Sequence, residues 1–318
     1  MAKYLITGVG GFIGSALARA VLAQGDAVRG VDNFSTGKHE NIAEIADRLE
    51  LRQIDLKDAD ATREACAGVD FILHQAAIPS VPKSVIDPIG SNQNNVDATM
   101  NLLVAAKDAR VKRVVYAASS SAYGDTPTLP KREDMTPNPI SPYAVAKLTG
   151  ELYMVSFFRC YGLQTVSLRY FNIFGPRQDP TSPYSGVLAK FITQMLVGDQ
   201  PTVFGDGTQS RDFTYVDNAV YANLLACEAP AERVAGKVFN VATGVRFNLN
   251  ETFEILKKLT GYKGDLKYGP ERPGDVKHSL ADLSWARKYL GYEPQVTFEE
   301  GLKRTIQWYR TQPQAVGV

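Results

Sequence analysis

The chain has 318 residues, of which 44% are hydrophobic and 22% charged, a composition typical of a globular protein large enough for a full core and two lobes. Its formal net charge of +1 argues against a nucleic-acid-binding surface or a polybasic membrane patch, although a local cluster of arginines could still bind phosphate. No apolar run approaches the roughly 18 residues of a membrane-spanning helix, so we expect neither nucleic acid nor a membrane as a partner.

The first half of the chain alternates short apolar runs with helical patterns, which is typical of βαβ units and a parallel sheet. The clearest helix is predicted over about 12–24, where apolar residues recur on one face and Gly25 follows as a stop signal. Further helices are predicted over about 91–108 and 141–161. Strands are predicted at 4–6, 27–31, 51–54, 71–73, 113–116 and 164–170.

Beyond residue 172 the sequence changes to loops rich in glycine, proline and aspartate between shorter elements. Helices are predicted over about 186–197 and 298–309, with a strand at 238–242. The stretch 248–251 resembles a capping box that opens another helix.

These patterns predict an α/β fold, a Rossmann-type doubly wound parallel sheet with a smaller mixed lobe. We expect a dinucleotide-binding domain over 1–171, with returning segments near 212–243, and an interleaved substrate lobe over 172–318. That lobe should lie over the carboxyl edge of the sheet, where ligands bind in open α/β folds.

Three cysteines, Cys66, Cys160 and Cys227, lack C-x-x-C spacing and lie in apolar helical patterns. They predict reduced core thiols in a cytoplasmic protein rather than disulfides or zinc ligands. The three histidines are too dispersed in the sequence to indicate a metal site, so we expect no metal.

The glycine stretch Gly8-x-x-Gly11-x-x-Gly14 lies between the first predicted strand and the first helix. Glycines there allow a tight turn and bring backbone N–H groups against a pyrophosphate; alone, such a run could equally be a structural turn. Asp32 ends the second strand, where a carboxylate binds the adenosine ribose hydroxyls and repels a 2′-phosphate, so NAD is predicted over NADP. Two nearby cations, Arg29 and Lys38, could weaken that preference.

Tyr143 and Lys147 are four residues apart on the predicted helix that begins with Ser141 as N-cap and Pro142 at its first position. A free tyrosine titrates near about 10, and a close ammonium should lower the pKa of the phenol toward neutrality, as a general base requires. The same spacing also occurs in exposed pairs on amphipathic helices.

These motifs occur in a specific order together with Ser119-Ser-Ser121 and Arg169-Tyr-Phe-Asn172. With them the chain resembles the extended short-chain dehydrogenases, specifically the NAD-dependent nucleotide-sugar epimerases, over essentially its whole length. Within that family it is most similar to bacterial UDP-N-acetylglucosamine 4-epimerases and UDP-glucose 4-epimerases. The resemblance implies NAD as cofactor, a UDP-sugar as substrate and a homodimer.

The resemblance implies three catalytic residues, Ser119, Tyr143 and Lys147. The remaining cofactor contacts fall on the glycine turn, the ribose loop, the adenine pocket and the nicotinamide side. Together with Tyr143 and Lys147 they are Gly8, Gly11, Phe12, Ile13, Gly14, Asp32, Asn33, Ser35, Thr36, Asp55, Leu56, Gln75, Ala76, Ala77, Asn94 and Phe171.

On the substrate side, the resemblance implies that Arg211, Arg272 and Asn172 bind the diphosphate. Each guanidinium can bond phosphate oxygens bidentately, so two of them together suit this ligand. Either arginine alone would be read as a surface salt bridge. The implied substrate contacts are Ser119, Ser120, Ser121, Asn172, Val187, Thr202, Val203, Phe204, Arg211, Arg272, Asp275 and Ser279.

Two positions bear on the reaction and the sugar. Related dehydratases carry an Asp-Glu pair directly after the catalytic Ser or Thr, and here those places are Ser120 and Ser121, so epimerisation at C4 through a 4-keto intermediate is favoured over elimination. A bulky tyrosine at the place of Ser279 excludes N-acetyl groups in the family, so the small Ser279 implies room for UDP-GlcNAc and UDP-GalNAc. A neighbour could still close that pocket.

Two alternatives stay open. A UDP-uronic acid 4-epimerase or decarboxylase on the same scaffold needs a cation facing C6, and Arg177 is a candidate. A non-catalytic NAD-binding regulator would commonly lack the tyrosine or the lysine. For the implied dimer, apolar residues on two helices would suit a four-helix contact, although internal packing explains them as readily: Leu102, Leu103, Leu152 and Phe157.

Overall fold

A computed structural model describes residues 1–180, 186–271 and 276–312. Its strands, in chain order, are β1 (Lys3–Thr7), β2 (Ala27–Asp32), β3 (Leu49–Gln53), β4 (Phe71–His74), β5 (Arg113–Ser119), β6 (Gln164–Tyr170), β7 (Ile173–Phe174), β8 (Thr202–Phe204), β9 (Ser210–Arg211), β10 (Thr214–Tyr215), β11 (Lys237–Val241), β12 (Phe247–Asn248) and β13 (Lys267–Gly269).

Eleven α-helices accompany these strands within the described residues. They are α1 (Phe12–Ala23), α2 (Ala59–Cys66), α3 (Val81–Ile86), α4 (Pro88–Asn92), α5 (Ala98–Asp108), α6 (Pro142–Tyr161), α7 (Val187–Val197), α8 (Val216–Glu228), α9 (Ala231–Val234), α10 (Leu249–Thr260) and α11 (Phe298–Arg310). A π-helical turn over Gln93–Asp97 joins α4 to α5, where the sequence predicts one uninterrupted helix.

The central sheet has seven parallel strands in the order β11-β6-β5-β4-β1-β2-β3, so the predicted Rossmann-type doubly wound fold is confirmed. The strand order reverses between β1 and β4, and in such sheets ligands bind in the crevice outside the carboxyl ends of the strands at that point. Thr7 of β1 and His74 of β4 therefore mark the position of the site.

Helices cover both faces of the sheet, which is why its central strands are continuously apolar. Alternate residues of each strand serve opposite faces: in β1, Leu5 packs with α2, α5 and α6, whereas Ile6 packs with α1 and α8. A third cluster, built from α7, α10 and α11, forms the core of the C-terminal part. Phe12 and Ile13 at the start of α1 pack against that cluster and connect it to the sheet.

Two segments after residue 212 return to the sheet. Helix α8 packs on β5, β6 and α1, and β11 pairs in parallel with β6 from Lys237 to Val241. The division of the chain at residue 171 into two interleaved lobes stays a prediction. Asn248 and Glu251 do form the capping box expected at the start of α10.

The structure corrects several of the sequence-based expectations. Leu102, Leu103 and Phe157 are buried in the core, so they are wrong as dimer contacts, whereas Leu152 is 60% exposed. Cys160 is exposed and is not a core thiol, while the other two cysteines are buried. No helix in the described ranges combines the length and the hydrophobicity that a bilayer crossing requires.

A buried polar network ties the segment after β5 to β6 and β11. Arg169 donates two hydrogen bonds to Glu151, at 2.8 and 2.6 Å, and its guanidinium lies 4.5 Å from the centre of the Tyr123 ring. Tyr123 donates to the side chain of Asn240 at 2.7 Å, and the backbone amide of Asn240 donates to Glu133 at 2.8 Å. Burial raises the pKa of Glu133 to about 7.

This raised pKa predicts a pH dependence of stability. Between pH 4.5, the ordinary pKa of the side chain, and about 7, folded Glu133 keeps a proton that the unfolded chain has lost. The stabilising contribution is therefore full below pH 4.5 and is lost as the pH rises through 7, at a cost of roughly 1–3 kcal/mol. Glu133→Gln should remove that part of the fall, as urea unfolding between pH 5 and 8 would show.

Glu299→Gln, on the exposed side of α11, is the matched control and should unfold in parallel with the wild type at every pH. Parallel curves for Glu133→Gln as well would contradict the raised pKa.

Candidate active site

The turn after β1 depends on close backbone approaches that only glycine permits. Gly8 has φ of +68°, and a Cβ there would lie 2.9 Å from the backbone of Ala76. A Cβ on Gly14 would lie 2.0 Å from the carbonyl oxygen of Gly8. Gly11 is the N-cap of α1 and offers no side-chain acceptor, so the first amides of the helix, at Phe12, Ile13 and Gly14, are left for another acceptor. This cradle fits a dinucleotide pyrophosphate.

Asp32 shapes the same turn. Its carboxylate accepts the backbone N–H of Gly10 at 2.9 Å and that of Phe34 at 2.8 Å, so it joins the glycine turn to the loop after β2. A buried carboxylate beside the turn repels the 2′-phosphate of NADP. From the sequence, only a contact with the adenosine ribose was predicted for Asp32. The two hydrogen bonds from backbone amides give it a structural role as well.

The two cations expected to weaken the preference for NAD are both engaged elsewhere. Arg29 is 6% exposed and donates to Glu50 and to the carbonyl oxygens of Ala65 and Ala67. Lys38 forms an ion pair with Asp179 at 3.0 Å. Because both cations are engaged with other groups, they do not weaken the predicted preference for NAD over NADP.

The residues predicted for the adenosine side lie in the loops after β2 and β3. Asp55 accepts a hydrogen bond from the side chain of Asn33 at 3.1 Å, which ties the two loops together. Burial raises the pKa of Asp55, but the backbone amide of Lys57 and the side chain of Asn33 outweigh it and lower the pKa. Leu56 is buried beside them, and Ser35 and Thr36 are exposed.

On the nicotinamide side, hydrogen bonds hold several of the predicted residues. Gln75 accepts from Tyr170 at 3.1 Å and donates to Asn223 at 3.3 Å, so its side chain belongs to an internal network. Asn94, in the π-helical turn, donates to the carbonyl of Gly90 at 2.7 Å. Phe171 is fully buried and its amide bonds to β11, so its side chain belongs to the core.

His74 braces the loop that contains Ala76 and Ala77. Thr7 donates to Nδ1 of His74 at 2.8 Å and accepts the amide of Ala76 at 3.1 Å. Nε2 of His74 lies 2.9 Å from the hydroxyl of Thr99, which donates to a carbonyl of the π-helical turn, so we assign the proton to Nε2. Burial, and then the charge of Lys147, lowers the pKa of His74 to about 3, so the ring stays neutral.

The three predicted catalytic residues come together where β5 ends and α6 begins. The hydroxyl of Ser119, the last residue of β5, is close enough to the phenol of Tyr143 to lower the pKa of that phenol. The ammonium of Lys147 donates to the carbonyl of Ala117 at 2.8 Å and lies 4.9 Å from the centre of the Tyr116 ring. Lys147 therefore reaches the same strand that presents Ser119.

Burial controls the protonation of this group, contrary to the expected effect of the ammonium. Burial raises the pKa of Tyr143, and the hydrogen bond to Ser119 offsets only part of the rise. Burial also lowers the pKa of Lys147 to about 7. The expectation that Lys147 by itself brings the phenol toward neutrality is therefore wrong, because burial dominates the pKa of Tyr143.

Serines replace the acids that elimination would need. The hydroxyl of Ser121 donates to the hydroxyl oxygen of Ser119 at 2.8 Å, and the amide of Ser121 donates to the same oxygen at 3.2 Å. Because its oxygen accepts these two bonds, Ser119 keeps its own hydroxyl proton for another acceptor. Ser120, in the next position, is partly exposed at the same edge.

The predicted diphosphate and sugar residues meet on a second edge. Ser279 donates its amide to the carbonyl of Ser210 at 3.0 Å, so it lies beside Arg211 in the adjoining strand. Asn172, two residues after the end of β6, donates to the carbonyl of Asp212 at 3.1 Å. The other two predicted residues on this side, Arg272 and Asp275, lie outside the described residues.

The carboxylate of Asp212 holds this edge together, although no motif in the sequence selected Asp212 as a site residue. Its buried carboxylate accepts the amide and hydroxyl of Thr243 at 2.9 and 2.8 Å, and the amides of Gly244 and Ala281 at 3.0 and 3.2 Å. Its position directly after Arg211 was the only signal in the sequence. It fixes the loop after β11 and the strand-like segment that carries Ser279.

Additional cations surround the diphosphate edge. Burial lowers the pKa of His278, and so do Arg246, Lys277 and Arg211 around it. No motif or spacing in the sequence pointed to Arg246 or Lys277. Their combined charge favours a phosphate-bearing ligand here.

The segment predicted beside uracil is β8, which pairs with β13. Val203 is 1% exposed and packs into the core, whereas Thr202 and Phe204 point to the opposite face. A Cβ on Gly269 would lie 3.2 Å from the Phe204 ring, so the ring covers that glycine. Val187 opens α7 and packs at the edge of the third core cluster.

Comparison with known proteins agrees with this geometry. The model of a family described as the NAD dependent epimerase/dehydratase family matches residues 4–242. A UDP-glucose 4-epimerase from Mycolicibacterium smegmatis is 39% identical over 98% of this chain and 100% of its own length. A UDP-glucuronate 4-epimerase from Thermodesulfobacterium geofontis is 35% identical over 97% of this chain and 96% of its own length.

Among solved structures, a UDP-N-acetylglucosamine 4-epimerase from Methanobrevibacter ruminantium in complex with UDP-N-acetylmuramic acid superimposes with a TM-score of 0.93 at 42% identity. The match covers 98% of this chain and 99% of that one. The chain therefore shares the fold of this enzyme over nearly its whole length.

Proposed function

Because the chain belongs to the NAD-dependent epimerase/dehydratase family, we propose that it inverts C4 of UDP-sugars through a transient 4-keto sugar. The observation that carries this proposal is the contact between Tyr143 and Ser119, with serines in place of acids at the next two positions. That arrangement can move one proton on and off a sugar hydroxyl. It has no carboxyl at those positions to eliminate water.

In this reaction, Tyr143 takes the proton of the sugar 4-hydroxyl and later returns it, and Ser119 donates to the reacting oxygen. NAD, when bound, would supply a hydride acceptor able to return the hydride, and its positive charge would favour the phenolate. Lys147 adds charge at the base of the same recess. The residues named above for the turn, the adenosine loops and the nicotinamide side would hold the cofactor.

Net redox is zero, because the proton and the hydride both return to the sugar. Arg211 and Asn172, with Arg246 and Lys277 around them, would hold the diphosphate while the sugar turns over. Holding the ligand by its diphosphate leaves the hexose free to present either face of C4. Electrostatic and bidentate bonds to the diphosphate suit that task.

For the sugar, we propose UDP-GlcNAc and UDP-GalNAc, together with UDP-Glc and UDP-Gal. Ser279 is small and lies beside Arg211, so the pocket has room for an acetamide. The related enzyme from Methanobrevibacter ruminantium, whose solved structure holds an N-acetylated UDP-sugar, supports the wider pocket.

A UDP-glucuronate 4-epimerase is among the relatives, but Arg177, the cation predicted to face C6, is engaged elsewhere. Arg177 forms an ion pair with Glu44 at 2.7 Å, and its guanidinium lies 5.9 Å from the centre of the Trp308 ring. A C6 carboxylate would have to compete for Arg177 with Glu44, which pairs with Arg19 as well. A silent regulator is also disfavoured, because Ser119, Tyr143 and Lys147 are assembled together.

We further infer a homodimer through the helices around α5 and α6. Apolar side chains remain exposed on these helices and on α3 and α4 beside them, an unusual feature for solvent-facing helices. They are Ile86, Ile89, Val104, Val145 and Leu152. The protein should work in the cytoplasm, because one of its free thiols, Cys160, is exposed and a reducing compartment preserves it.

Light scattering after gel filtration tests the dimer. The wild type should show twice the chain mass of 34.8 kDa, and Leu152→Asp should show a single chain because a carboxylate is buried at the contact. Val197→Asp, an exposed apolar position on α7, is the control and should stay dimeric. A monomeric wild type would contradict the inference.

Separate incubations with UDP-GlcNAc and UDP-Glc, with the C4 epimers resolved by chromatography, test the function. The wild type should convert both. Ser279→Tyr should lose UDP-GlcNAc conversion by on the order of tenfold or more while keeping UDP-Glc conversion, because the ring fills the acetamide space. Ser279→Ala should keep both. Conversion of UDP-Glc alone by the wild type would overturn the pocket argument, and conversion of neither would overturn the proposed function.

A further inference from the structure

The backbone amide of Tyr143 is held by a residue far away in the sequence. It donates to the hydroxyl of Ser84 in α3 at 3.0 Å, across 59 positions of the chain. Ser84 is 1% exposed. Nothing in the cofactor or substrate assignments uses Ser84.

This bond completes the cap of α6. The first four N–H groups of a helix have no acceptor within the helix. Val145 makes the first bond of the helix, to the carbonyl of Ser141 at 2.9 Å, so the three helical residues before it need other acceptors. Of these, Pro142 has no N–H to donate and Ala144 donates to the hydroxyl of Ser141 at 3.2 Å. The third is Tyr143, and Ser84 accepts its amide.

The hydroxyl of Ser84 is itself oriented. It donates its only proton to the carbonyl of Val81 at 2.7 Å, so a lone pair faces the amide of Tyr143. Helix α3 in turn is capped by Ser80, whose hydroxyl accepts the amide of Lys83 at 3.1 Å. The support of the catalytic tyrosine therefore comes from the short helix that follows the loop with Gln75 and Ala77.

We propose that Ser84 is a positioning residue that sets the place of the Tyr143 phenol, an inference that rests on the proposed role of Tyr143 as the base. It acts on the peptide of the tyrosine itself and not on a distant part of the helix. Without it the first turn of α6 keeps its Ser141 cap, but the Tyr143 amide loses its acceptor. The phenol then shifts relative to Ser119, and displacements of about 1 Å can cost on the order of 100-fold in rate.

A purely structural cap makes a different prediction. Loss of a cap lowers the stability of the whole protein and leaves the kinetics of the folded fraction unchanged. Ser91→Ala provides the matched control, because Ser91 is also buried, in the neighbouring helix α4, and its hydroxyl accepts from Asn95 rather than from α6.

Two measurements on the full-length protein decide between these readings. The first is amide hydrogen exchange of Tyr143 without substrate: Ser84→Ala should speed it at least about tenfold, and Ser91→Ala should leave it unchanged. The second is epimerisation of UDP-GlcNAc: Ser84→Ala should lower kcat by roughly 10–100-fold with KM changed less than about threefold, and Ser91→Ala should keep the wild-type kcat.

Wild-type kcat in Ser84→Ala, an equal loss in Ser91→Ala, or unchanged exchange at Tyr143 would each overturn the proposal. If the wild type converts no UDP-sugar, the proposed function fails. The exchange measurement then still decides whether Ser84 holds the amide of Tyr143.

Discussion

The closeness of the Ser119 hydroxyl to the Tyr143 phenol is the constraint on which the proposed chemistry depends, and the fold places both groups. Ser119 ends a central strand at the carboxyl edge of the sheet, and Tyr143 lies in the first turn of a helix, where Ser84 accepts its amide. Lys147, one turn later, bonds to the carbonyl of Ala117 in the same strand at 2.8 Å. Two side chains of α6 thus face two alternate residues of β5, so the register of that strand places the phenol and the ammonium together.

Burial gives this arrangement its electrostatic character. It raises the pKa of the phenol and lowers that of the ammonium to about 7, so the pair by itself favours neutral forms. His74 behind it is also neutral, and its proton is fixed by Thr7 and Thr99. A site that carries little charge of its own responds strongly to a charged ligand, because charges interact strongly in a dry recess. The edge that carries the predicted diphosphate residues is the opposite case, with several cations gathered around His278.

Local motifs predicted the parts of the site that lie close together in the chain. The glycine turn, Asp32, Ser119 and the pair of Tyr143 and Lys147 each belong to one strand end or one helix turn, where spacing determines geometry. The sheet and its helices followed from apolar periodicity for the same reason. Spacing cannot show which side chains from distant segments meet, so Ser84 and Asp212 were missed. Spacing also cannot measure burial. Burial raises the pKa of Tyr143 where a lowered pKa was expected, and Leu102 and Leu103 lie in the core and not at a dimer contact.

The most direct test of Tyr143 as the base is to remove its hydroxyl alone. Calorimetry with UDP-GlcNAc and chromatography of its epimers should show that Tyr143→Phe binds the UDP-sugar within a few fold of the wild type but turns it over at least about 100-fold more slowly. Tyr153→Phe, on the same helix, should behave like the wild type. Retained turnover in Tyr143→Phe would contradict the account, because no other group in the described site is placed to take its part.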